Sequence, residues 1–202
     1  MRRYVIGIDE VGRGSLAGPV VVAAVAVPQG VRLYNYFLGK LRDSKKLTPA
    51  SRERWFNYFR SHPKIKFDLA WVYPRQIEKI NIARAANLAA WRAFNRLVCR
   101  YGLSLRLCRI FLDGGLFLGN RKKRDVGVKA KTVVRGDGRI PAVKAASIVA
   151  KVSRDRAMKR LAKIYPVYGF GFHKGYGTKK HFAAIKKHGP SEVHRLTFLR
   201  FS

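Results

Sequence analysis

Acidic residues are scarce in this sequence, so their positions are informative. The 202 residues contain 11 Asp and Glu against 43 Lys and Arg. Asp9 and Glu10 end one short apolar segment, Asp113 ends another, and Asp155 lies in a long segment with helical spacing. Carboxylates that converge from several elements form a site for a hard divalent ion such as Mg²⁺, which prefers oxygen ligands. These four residues are therefore candidate metal ligands and catalytic groups.

The alternative to a metal site is a set of separate salt bridges. An unpaired buried carboxylate is unfavourable, and each acid taken alone could be neutralised by one of the many arginines. Convergence of the four acids is not visible in the sequence itself. Successive residues of a strand also point to opposite faces, so Asp9 and Glu10 can share a site only if the strand ends or bends there.

A row of polar residues precedes Asp155 on the same predicted helix. Lys144, Ser147, Lys151 and Asp155 are spaced three, four and four residues apart, so they share one helix face. Such a row could follow a phosphate backbone towards a metal. A solvated face closed by a salt bridge is the alternative, and the spacing alone favours it. The apolar positions off this face are expected to pack inward: Val143, Ala146, Val149 and Val152.

Two glycine-flanked side chains are further candidates for ligand contact. In Gly12-Arg13-Gly14, which follows the first acidic pair, the glycines allow the backbone to approach a sugar or a phosphate closely. Tyr176 lies between glycines just before a predicted helix, where the helix N-terminus favours phosphate and the ring can stack on a sugar or base. Either segment could instead be an ordinary turn.

The charge balance predicts a polyanionic partner. The formal net charge is +32 at pH 7, and such a surface attracts nucleic acid first and anionic lipid second. A merely solubilising surface is the weaker interpretation, because acidic residues solubilise better than basic ones. The basic segment 121–124 is interpreted as a solvated loop that could contact phosphate.

Composition excludes several classes of protein. Hydrophobic residues make up 48% of the chain, too many for a disordered basic tail. The longest apolar stretch, residues 18–27, is too short to span a bilayer, which takes about 20 residues, and the first acidic pair interrupts any signal-peptide core. Cys99 and Cys108 match no disulfide or metal pattern and are expected to be reduced core residues. The sequence thus predicts a cytoplasmic protein without membrane segments.

The elements that must position the candidate residues alternate between strands and helices. Strands are predicted at 4–8, 19–27, 66–73, 105–112 and 131–134. Helices are predicted from 49 to about 60, from 81 to 102, from 142 to about 164 and from 178 to 188. Thr48 before Pro49 is a typical helix start. This order favours an α/β domain around a mixed sheet, with the C-terminal helices as a small appendage on the same core.

Five segments of the sequence form motifs in a fixed order. They are the glycine-rich opening at 7–20, Asp-Ser-Lys-Lys-Leu at 43–47, Asp113-Gly114, the helix segment 145–155, and the C-terminal residues 168–178 with His181. Together these segments resemble the ribonuclease HII family over nearly the whole chain. The resemblance implies a ribonuclease H-like mixed β-sheet flanked by helices. We expect a catalytic domain at 1–165 and a helical C-terminal segment at 166–202 that packs on it and contributes to substrate binding.

The resemblance also implies an activity. Members of the family are endonucleases that hydrolyse the RNA strand of RNA–DNA hybrids. They also cut on the 5′ side of single ribonucleotides in duplex DNA, leaving 3′-hydroxyl and 5′-phosphate ends, as in ribonucleotide excision repair. The implied partners are these nucleic acids, with no membrane, and the implied cofactor is Mg²⁺ or Mn²⁺. We expect a monomer.

The same resemblance assigns roles to individual residues. The four acids, Asp9, Glu10, Asp113 and Asp155, match the catalytic metal site. The segment Gly12, Arg13 and Gly14 matches the loop that senses the ribose 2′-hydroxyl, and Tyr176 matches the ring that stacks on the junction sugar. Positions near the bound backbone are matched by Ser44, Lys45, Ser147 and Lys151, and the polar row adds Lys144 as a substrate-binding candidate.

Two departures from the family pattern lie beside the candidate site. Asp113 is followed by Gly114-Gly115, where bacterial members usually have Gly-Asn, so the loop next to the site is expected to differ. Arg135 stands where a lysine is common, which keeps the charge but changes the geometry of any phosphate contact.

The rival interpretation is a non-catalytic, basic nucleic-acid-binding protein. Composition alone would favour it. The acids in glycine-flanked, strand-end positions speak against it, because a protein that only binds phosphate gains nothing by pointing carboxylates at its ligand.

Overall fold

Two neighbouring apolar strands form the centre of the fold. They are β1 (Tyr4–Val11) and β2 (Val20–Pro28), which pair antiparallel, and every residue of β2 is buried. The continuous valine- and alanine-rich run of β2 is typical of a strand covered on both faces. This computed structural model describes residues 3–118 and 129–199.

The other elements of the described ranges alternate along the chain. The further strands are β3 (Tyr34–Asn35), β4 (Gly39–Lys40), β5 (Lys66–Val72), β6 (Cys108–Asp113) and β7 (Ala130–Val133). The helices are α1 (Pro49–Ser61), α2 (Pro74–Ile80), α3 (Ile82–Tyr101), α4 (Gly136–Arg139), α5 (Pro141–Ile164), α6 (Phe170–His173) and α7 (Lys179–His188). Short 3₁₀ turns lie at Ser44–Lys46, Leu105–Leu107, Pro166–Tyr168 and Leu196–Phe198.

The main sheet brings two of the predicted acidic positions to one edge. Within the described part of the chain it has five strands in the order β5-β2-β1-β6-β7. β2 pairs antiparallel with β1 and β5, while β6 pairs parallel with β1 and β7. The register sets Ile8 opposite Leu112, so the next residues, Asp9 and Asp113, lie at the same level where β6 ends. The mixed sheet flanked by helices confirms the predicted fold class.

Helices cover both faces of the sheet. On one face, α3 packs its alanines and Leu97 against Ile6 and Ile8 of β1. On the other face, α5 packs against β2 and α1 packs against α5, and Trp55 and Val25 belong to the same apolar cluster. The small side chains of α5 and the glycine of β1 allow an especially close approach, because a Cβ at Gly7 would lie 2.1 Å from the carbonyl carbon of Ala142.

Local capping signals place the helix starts where the sequence predicts them. The hydroxyl oxygen of Thr48 accepts the N–H of Ser51 at the start of α1. The side-chain oxygen of Asn81 accepts the N–H of Arg84 at the start of α3. Each bond satisfies one backbone donor of the first helical turn.

Two local predictions are wrong. The strand predicted at 105–112 begins only at Cys108, because Leu105–Leu107 form a 3₁₀ turn. Cys99 is exposed and Cys108 is only half-buried. Cys99 lies off the buried stripe of α3 that contains Ala93 and Leu97, so its apolar sequence neighbours do not place it in the core.

The C-terminal residues pack on the rest of the chain through a third apolar cluster. Its buried members are Leu16, Ala17, Met158, Tyr168, Phe170 and Ile185. Thr197 donates its N–H to Glu78 at 3.1 Å and its hydroxyl at 2.8 Å, which ties the described end of the chain to α2. The division into 1–165 and 166–202 stays a prediction, and segment 121–124 lies outside the described residues.

The sequence predicts no segment that spans a membrane. Among residues 3–118 and 129–199, no helix combines the length and the apolar character needed to cross a membrane.

Replacing Gly7 with Ala is expected to lower the free energy of unfolding by about 3 kcal/mol, because the added methyl group would overlap the backbone of α5. Gly138→Ala is the control, since a Cβ at that helical position meets nothing within 4 Å. Urea denaturation of the two variants measures the difference. Equal stabilities would contradict the close contact between β1 and α5.

Candidate active site

Three predicted acids line one cavity at the edge where β6 ends. Asp9, Glu10 and Asp113 are all in the wall of this cavity, which has a volume of about 360 Å³. Asp9 is 4% exposed. Burial raises the pKa of Asp9 well above its ordinary value, and the nearby charges of Glu10 and Asp113 raise it further. Loss of water around a charged carboxylate and repulsion between like charges both favour the protonated form.

Glu10 shares the cavity although it is adjacent to Asp9 in β1. Its Oε1 accepts a hydrogen bond from Nη1 of Arg13 at 3.4 Å, while its Oε2 is buried and accepts no hydrogen bond from the described residues. Burial raises the pKa of Glu10, although the charge of Arg13 opposes the shift. Asp9 and Glu10 both lie within the paired strand, which ends at Val11 where Gly12 turns the chain with a φ of +85°, and both line the cavity.

Backbone N–H groups fix the third acid. Oδ1 of Asp113 accepts the N–H of Gly136 at 2.7 Å and that of Asp137 at 3.4 Å. These donors come from the start of α4, which Arg135 enters with a left-handed φ of +55°. The turn that begins at Arg135 therefore orients the carboxylate of Asp113 through these two backbone N–H groups.

A fourth acid that the sequence reasoning missed lines the same cavity. Asp137 is 4% exposed, and its Oδ2 accepts a hydrogen bond from Nζ of Lys45 at 2.8 Å. This bond is the main reason that the pKa of Lys45 is raised. The sequence signal that could have identified Asp137 is the Arg-Gly-Asp segment at 135–137, in which a carboxylate directly follows a glycine turn.

Asp155 does not line the cavity, so the expected convergence of the four named acids is found for three of them. Its Oδ1 accepts a hydrogen bond from Nζ of Lys151 at 2.9 Å, as in the salt-bridge alternative. Within the polar row, Ser147 and Lys151 reach the cavity, and Lys144 does not. α5 therefore turns only the middle of this row towards the acids.

The glycine-flanked loop and the Asp-Ser-Lys-Lys segment complete the wall. Every predicted member is present in it: Gly12, Arg13, Gly14, Ser44 and Lys45. The hydroxyls of Ser44 and Ser147 are hydrogen-bonded at 2.8 Å, which joins the segment to α5. Arg52, which the sequence did not single out, also lines the cavity and donates to the carbonyls of Ser44 at 3.1 Å and Leu47 at 2.6 Å.

Two buried arginines hold the loop that follows β1. Arg154 donates to the carbonyls of Ala17, Pro19 and Lys174 at 2.9–3.1 Å. Arg195 donates to the carbonyls of Gly18 and Arg13 at 2.8–3.0 Å. Burial lowers the pKa of Arg154, and it lowers the pKa of Arg195 to about 9. Arg154 is thus wholly buried.

Close packing explains the glycine at position 12. A Cβ there would lie 2.1 Å from Nε of Arg154. The departure at position 115 has a similar consequence, because Gly115 has a φ of +92° and a Cβ there would lie 2.9 Å from Nη1 of Arg13. Asparagine tolerates the left-handed region, but a side chain at this position would have to displace the guanidinium of Arg13.

Tyr176 forms the far wall of the cavity. Its ring lies 5.9 Å from Nζ of Lys151 and 5.4 Å from Cζ of Arg154. The preceding residue, Gly175, accepts the N–H of Leu16 at 2.8 Å, which connects the tyrosine segment to the loop after β1. The side chain is 36% exposed, so its ring is accessible to a ligand.

The donor set of the cavity fits a hard divalent ion. Four carboxylates supply oxygen ligands of the kind that Mg²⁺ and Mn²⁺ prefer, and the buried Oε2 of Glu10 has no donor among the described residues. No group of three acidic, histidine or cysteine side chains in those ranges could hold a metal ion as it stands.

Comparison with known proteins was made on sequence and on structure. The family model described as Ribonuclease HII matches residues 6–201. A ribonuclease HII of Bacillus mycoides is 40% identical over 195 residues, which are 96% of this chain and 68% of that protein. The RNase HII in complex with PCNA from Archaeoglobus fulgidus superposes with a TM-score of 0.74 at 25% identity, covering 98% of this chain and 97% of that one. The Bst ribonuclease HIII in complex with Mn²⁺ has a TM-score of 0.67 at 20% identity, covering 93% of this chain and 63% of that one, which is a likeness of fold alone.

Asp9→Asn is expected to raise the melting temperature at pH 7 without divalent ions, by roughly 2–4 °C for each kcal/mol gained. An acid whose pKa is higher in the folded state than in the unfolded state binds its proton more tightly in the folded state. The free energy of unfolding therefore falls as the pH rises from the unfolded pKa to the folded pKa. The neutral amide of the variant removes this loss of stability, and it also removes the repulsion from Glu10 and Asp113. The gain should shrink as the pH approaches the unfolded pKa of Asp, about 3.9.

Thermal denaturation in EDTA between pH 4 and 8 measures this effect. Asp155→Asn is the matched control, because it also removes one negative charge but breaks the ion pair with Lys151, so no gain is expected. A melting temperature for Asp9→Asn below that of the wild type at pH 7 would contradict the repulsive cluster.

Proposed function

The chain belongs to the ribonuclease HII family, whose members are endonucleases that cleave the RNA strand of RNA–DNA hybrids, and from this premise we propose a finer activity. The protein hydrolyses its substrate with the help of divalent metal ions. It also cuts on the 5′ side of single ribonucleotides embedded in duplex DNA, leaving 3′-hydroxyl and 5′-phosphate ends. This activity would serve the removal of misincorporated ribonucleotides.

The observation that carries this proposal is the acidic cavity in a basic protein. Asp9, Glu10, Asp113 and Asp137 line one cavity in a chain of net charge +32. A surface that only bound phosphate would repel its ligand at this point. Carboxylates are useful there when a cation lies between them and the phosphate.

We assign Asp9, Glu10 and Asp113 as the main metal-holding residues and Asp137 as the fourth carboxylate. The bound ion is Mg²⁺ or Mn²⁺, and a related ribonuclease HIII has been solved with Mn²⁺. Such an ion supplies a nucleophilic water of lowered pKa and stabilises the leaving oxygen. Asp155 acts through Lys151 and not as a metal ligand. Its carboxylate holds the ammonium of Lys151 at 2.9 Å and so sets where that ammonium meets a phosphate.

The residues around the acids recognise the substrate by shape and sugar. The Gly12-Arg13-Gly14 segment lines the cavity, and its backbone would contact the ribose 2′-hydroxyl, the group that distinguishes RNA from DNA. The ring of Tyr176 stacks on the sugar at the RNA–DNA junction. Backbone phosphates are bound by Lys45, Lys151 and the hydroxyls of Ser44 and Ser147, with Lys144 further along the same helix.

The basic surface holds the duplex outside the cavity. Lys and Arg contacts to phosphate release counterions, so binding should weaken steeply with salt. Recognition of base sequence is not expected, since the contacts proposed for these residues are to sugar and phosphate, which carry no sequence information. We infer a cytoplasmic monomer, with the C-terminal segment 166–202 contributing Tyr176 to the site of the catalytic domain 1–165.

The central test is cleavage of a labelled DNA duplex that contains one ribonucleotide, with and without Mg²⁺. The wild type should cut on the 5′ side of the ribonucleotide only when Mg²⁺ is present. Asp9→Asn should lower the rate by at least about a hundredfold, while the affinity for the duplex, measured by fluorescence anisotropy in EDTA, stays close to that of the wild type. Binding without metal-dependent cutting by the wild type would favour the rival, a non-catalytic nucleic-acid-binding protein.

A pair of isosteric variants distinguishes the two candidates for the fourth acid. Asp137→Asn should lower kcat by about a hundredfold, whereas Asp155→Asn should lower it by less than about tenfold, because only Asp137 lines the cavity. Each variant removes one negative charge, so the overall charge is matched. A larger loss for Asp155→Asn than for Asp137→Asn, measured at saturating Mg²⁺, would return Asp155 to the metal site.

A further inference from the structure

Three histidines form a connected cluster beside the cavity without lining it. His181 is completely buried, His194 is 3% exposed, and His173 is half-buried. The rings of His173 and His181 are stacked with centroids 4.3 Å apart, and the Nε2 atoms of His181 and His194 are 3.1 Å apart. The proposed chemistry uses none of these rings, yet the cluster surrounds the segment that carries Tyr176.

The hydrogen bonds fix which nitrogen of two rings carries the proton. Nδ1 of His194 accepts the N–H of Ser191 at 2.9 Å, so its proton is on Nε2, which donates to Nε2 of His181. The remaining nitrogen of His181, Nδ1, must then carry the proton of that ring. It donates to the carbonyl of Tyr176 at 2.9 Å.

The third ring holds the residue before the tyrosine. Nδ1 of His173 accepts the N–H of Gly175 at 3.2 Å, and its Nε2 donates to the carbonyl of Tyr168 at 2.7 Å. Gly175 has a φ of +81° and packs against the carbonyl of Ala17. Both residues of the turn, Gly175 and Tyr176, are therefore held by imidazoles that are neutral and have one defined tautomer each.

A proton added to any of the three rings would remove one of these bonds. In each ring the free nitrogen already faces an N–H group, so a charged imidazole would set two donors against each other. The titratable groups that act on the three rings are Lys174 and the neighbouring histidines, and the ring of Tyr168 lies 4.7 Å from that of His194; no acid among the described residues shifts the pKa of these rings. Burial lowers the pKa of all three histidines, that of His181 to about 4.

We propose that His173, His181 and His194 are positioning residues that hold the turn of Tyr176 through a chain of neutral imidazoles. The ability to cut at a single embedded ribonucleotide then depends on these rings remaining uncharged. This inference rests on the proposed role of Tyr176 at the junction sugar. Cleavage of a continuous RNA–DNA hybrid depends on the turn much less, because it offers no single junction at which the ring must sit.

The test is the ratio of two cleavage rates, at one embedded ribonucleotide and on a continuous hybrid. His181→Leu should lower this ratio at least tenfold, because it removes the donor to the Tyr176 carbonyl. His181→Asn should restore most of the ratio, since its amide can donate from the position of Nδ1. Circular dichroism checks folding, and if His181→Leu does not fold, His194→Leu and His194→Gln form the second pair. Equal losses on both substrates, or no rescue by Asn and Gln, would overturn the proposal.

The pH dependence of this ratio distinguishes a positioning role of the histidines from a purely structural role. In the wild type the ratio should fall as the pH is lowered from 6.5 towards 3.5, because burial lowers the pKa of His181 to about 4 and the neutral rings are favoured only above their folded pKa values. In folded His181→Leu the ratio should already be low and vary little with pH. The cavity acids act on both substrates, so their titration cancels from the ratio. A wild-type ratio that is constant over this range would contradict the proposal.

A measurement on the free protein distinguishes failure of this proposal from failure of the proposed function. Nitrogen-15 NMR of the histidine side chains at pH 6 should place the proton on Nδ1 of His181 and on Nε2 of His173 and His194. Another tautomer, or a charged ring at pH 6, would overturn the proposed chain of neutral imidazoles, whatever substrate the protein cleaves. If the tautomers are as stated but the wild type does not cut at single ribonucleotides, the function proposed for the site is what fails.

Discussion

Repulsion between carboxylates is the constraint on which the rest of the site depends. Because β1 and β6 are parallel neighbours, the sheet delivers Asp9 and Asp113 to the same edge, and burial there raises the pKa of Asp9. The backbone N–H groups at the start of α4 hold Asp113 in place without neutralising it. Nearby cations pair with only part of the cluster, through Arg13 on Glu10 and Lys45 on Asp137. Asp9 and Asp113 have no cation bonded to them in the described part of the chain, so a divalent ion between them would remove the repulsion between these carboxylates.

The surrounding scaffold resists this repulsion through buried cations placed behind the loop rather than in the cavity. Arg154 comes from α5 and Arg195 from near the C-terminus, and both donate only to backbone carbonyls of the loop after β1 and of Lys174. A buried guanidinium that is fully hydrogen-bonded is tolerable without an acid partner, and removing either one would leave carbonyls unsatisfied. These bonds connect the loop after β1 and the carbonyl of Lys174 to α5 and to the C-terminal part of the chain.

Much of the site follows from the sequence because strand ends and glycine turns have local signals. Asp9, Asp113 and the Gly12-Arg13-Gly14 loop were identifiable from apolar segments and glycine spacing, and all of them line the cavity. Asp155 lies outside the cavity and bonds Lys151, and its assignment to the metal site stays a prediction. Helical spacing shows which residues share a face but not where the helix lies over the sheet. Asp137 was missed because α4 has four residues, too few for periodicity. The buried position of Arg154 depends on carbonyls from the loop and Lys174, which no local pattern reveals.

The location of bound Mn²⁺ tests the account most directly. Crystals soaked in Mn²⁺ and measured at the manganese absorption edge would show each ion by its anomalous scattering. The account predicts ions within coordination distance of Asp9, Glu10, Asp113 and Asp137, and none bound to Asp155. Strong anomalous density at Asp155 and Lys151, or no density among the four cavity acids at saturating Mn²⁺, would contradict it.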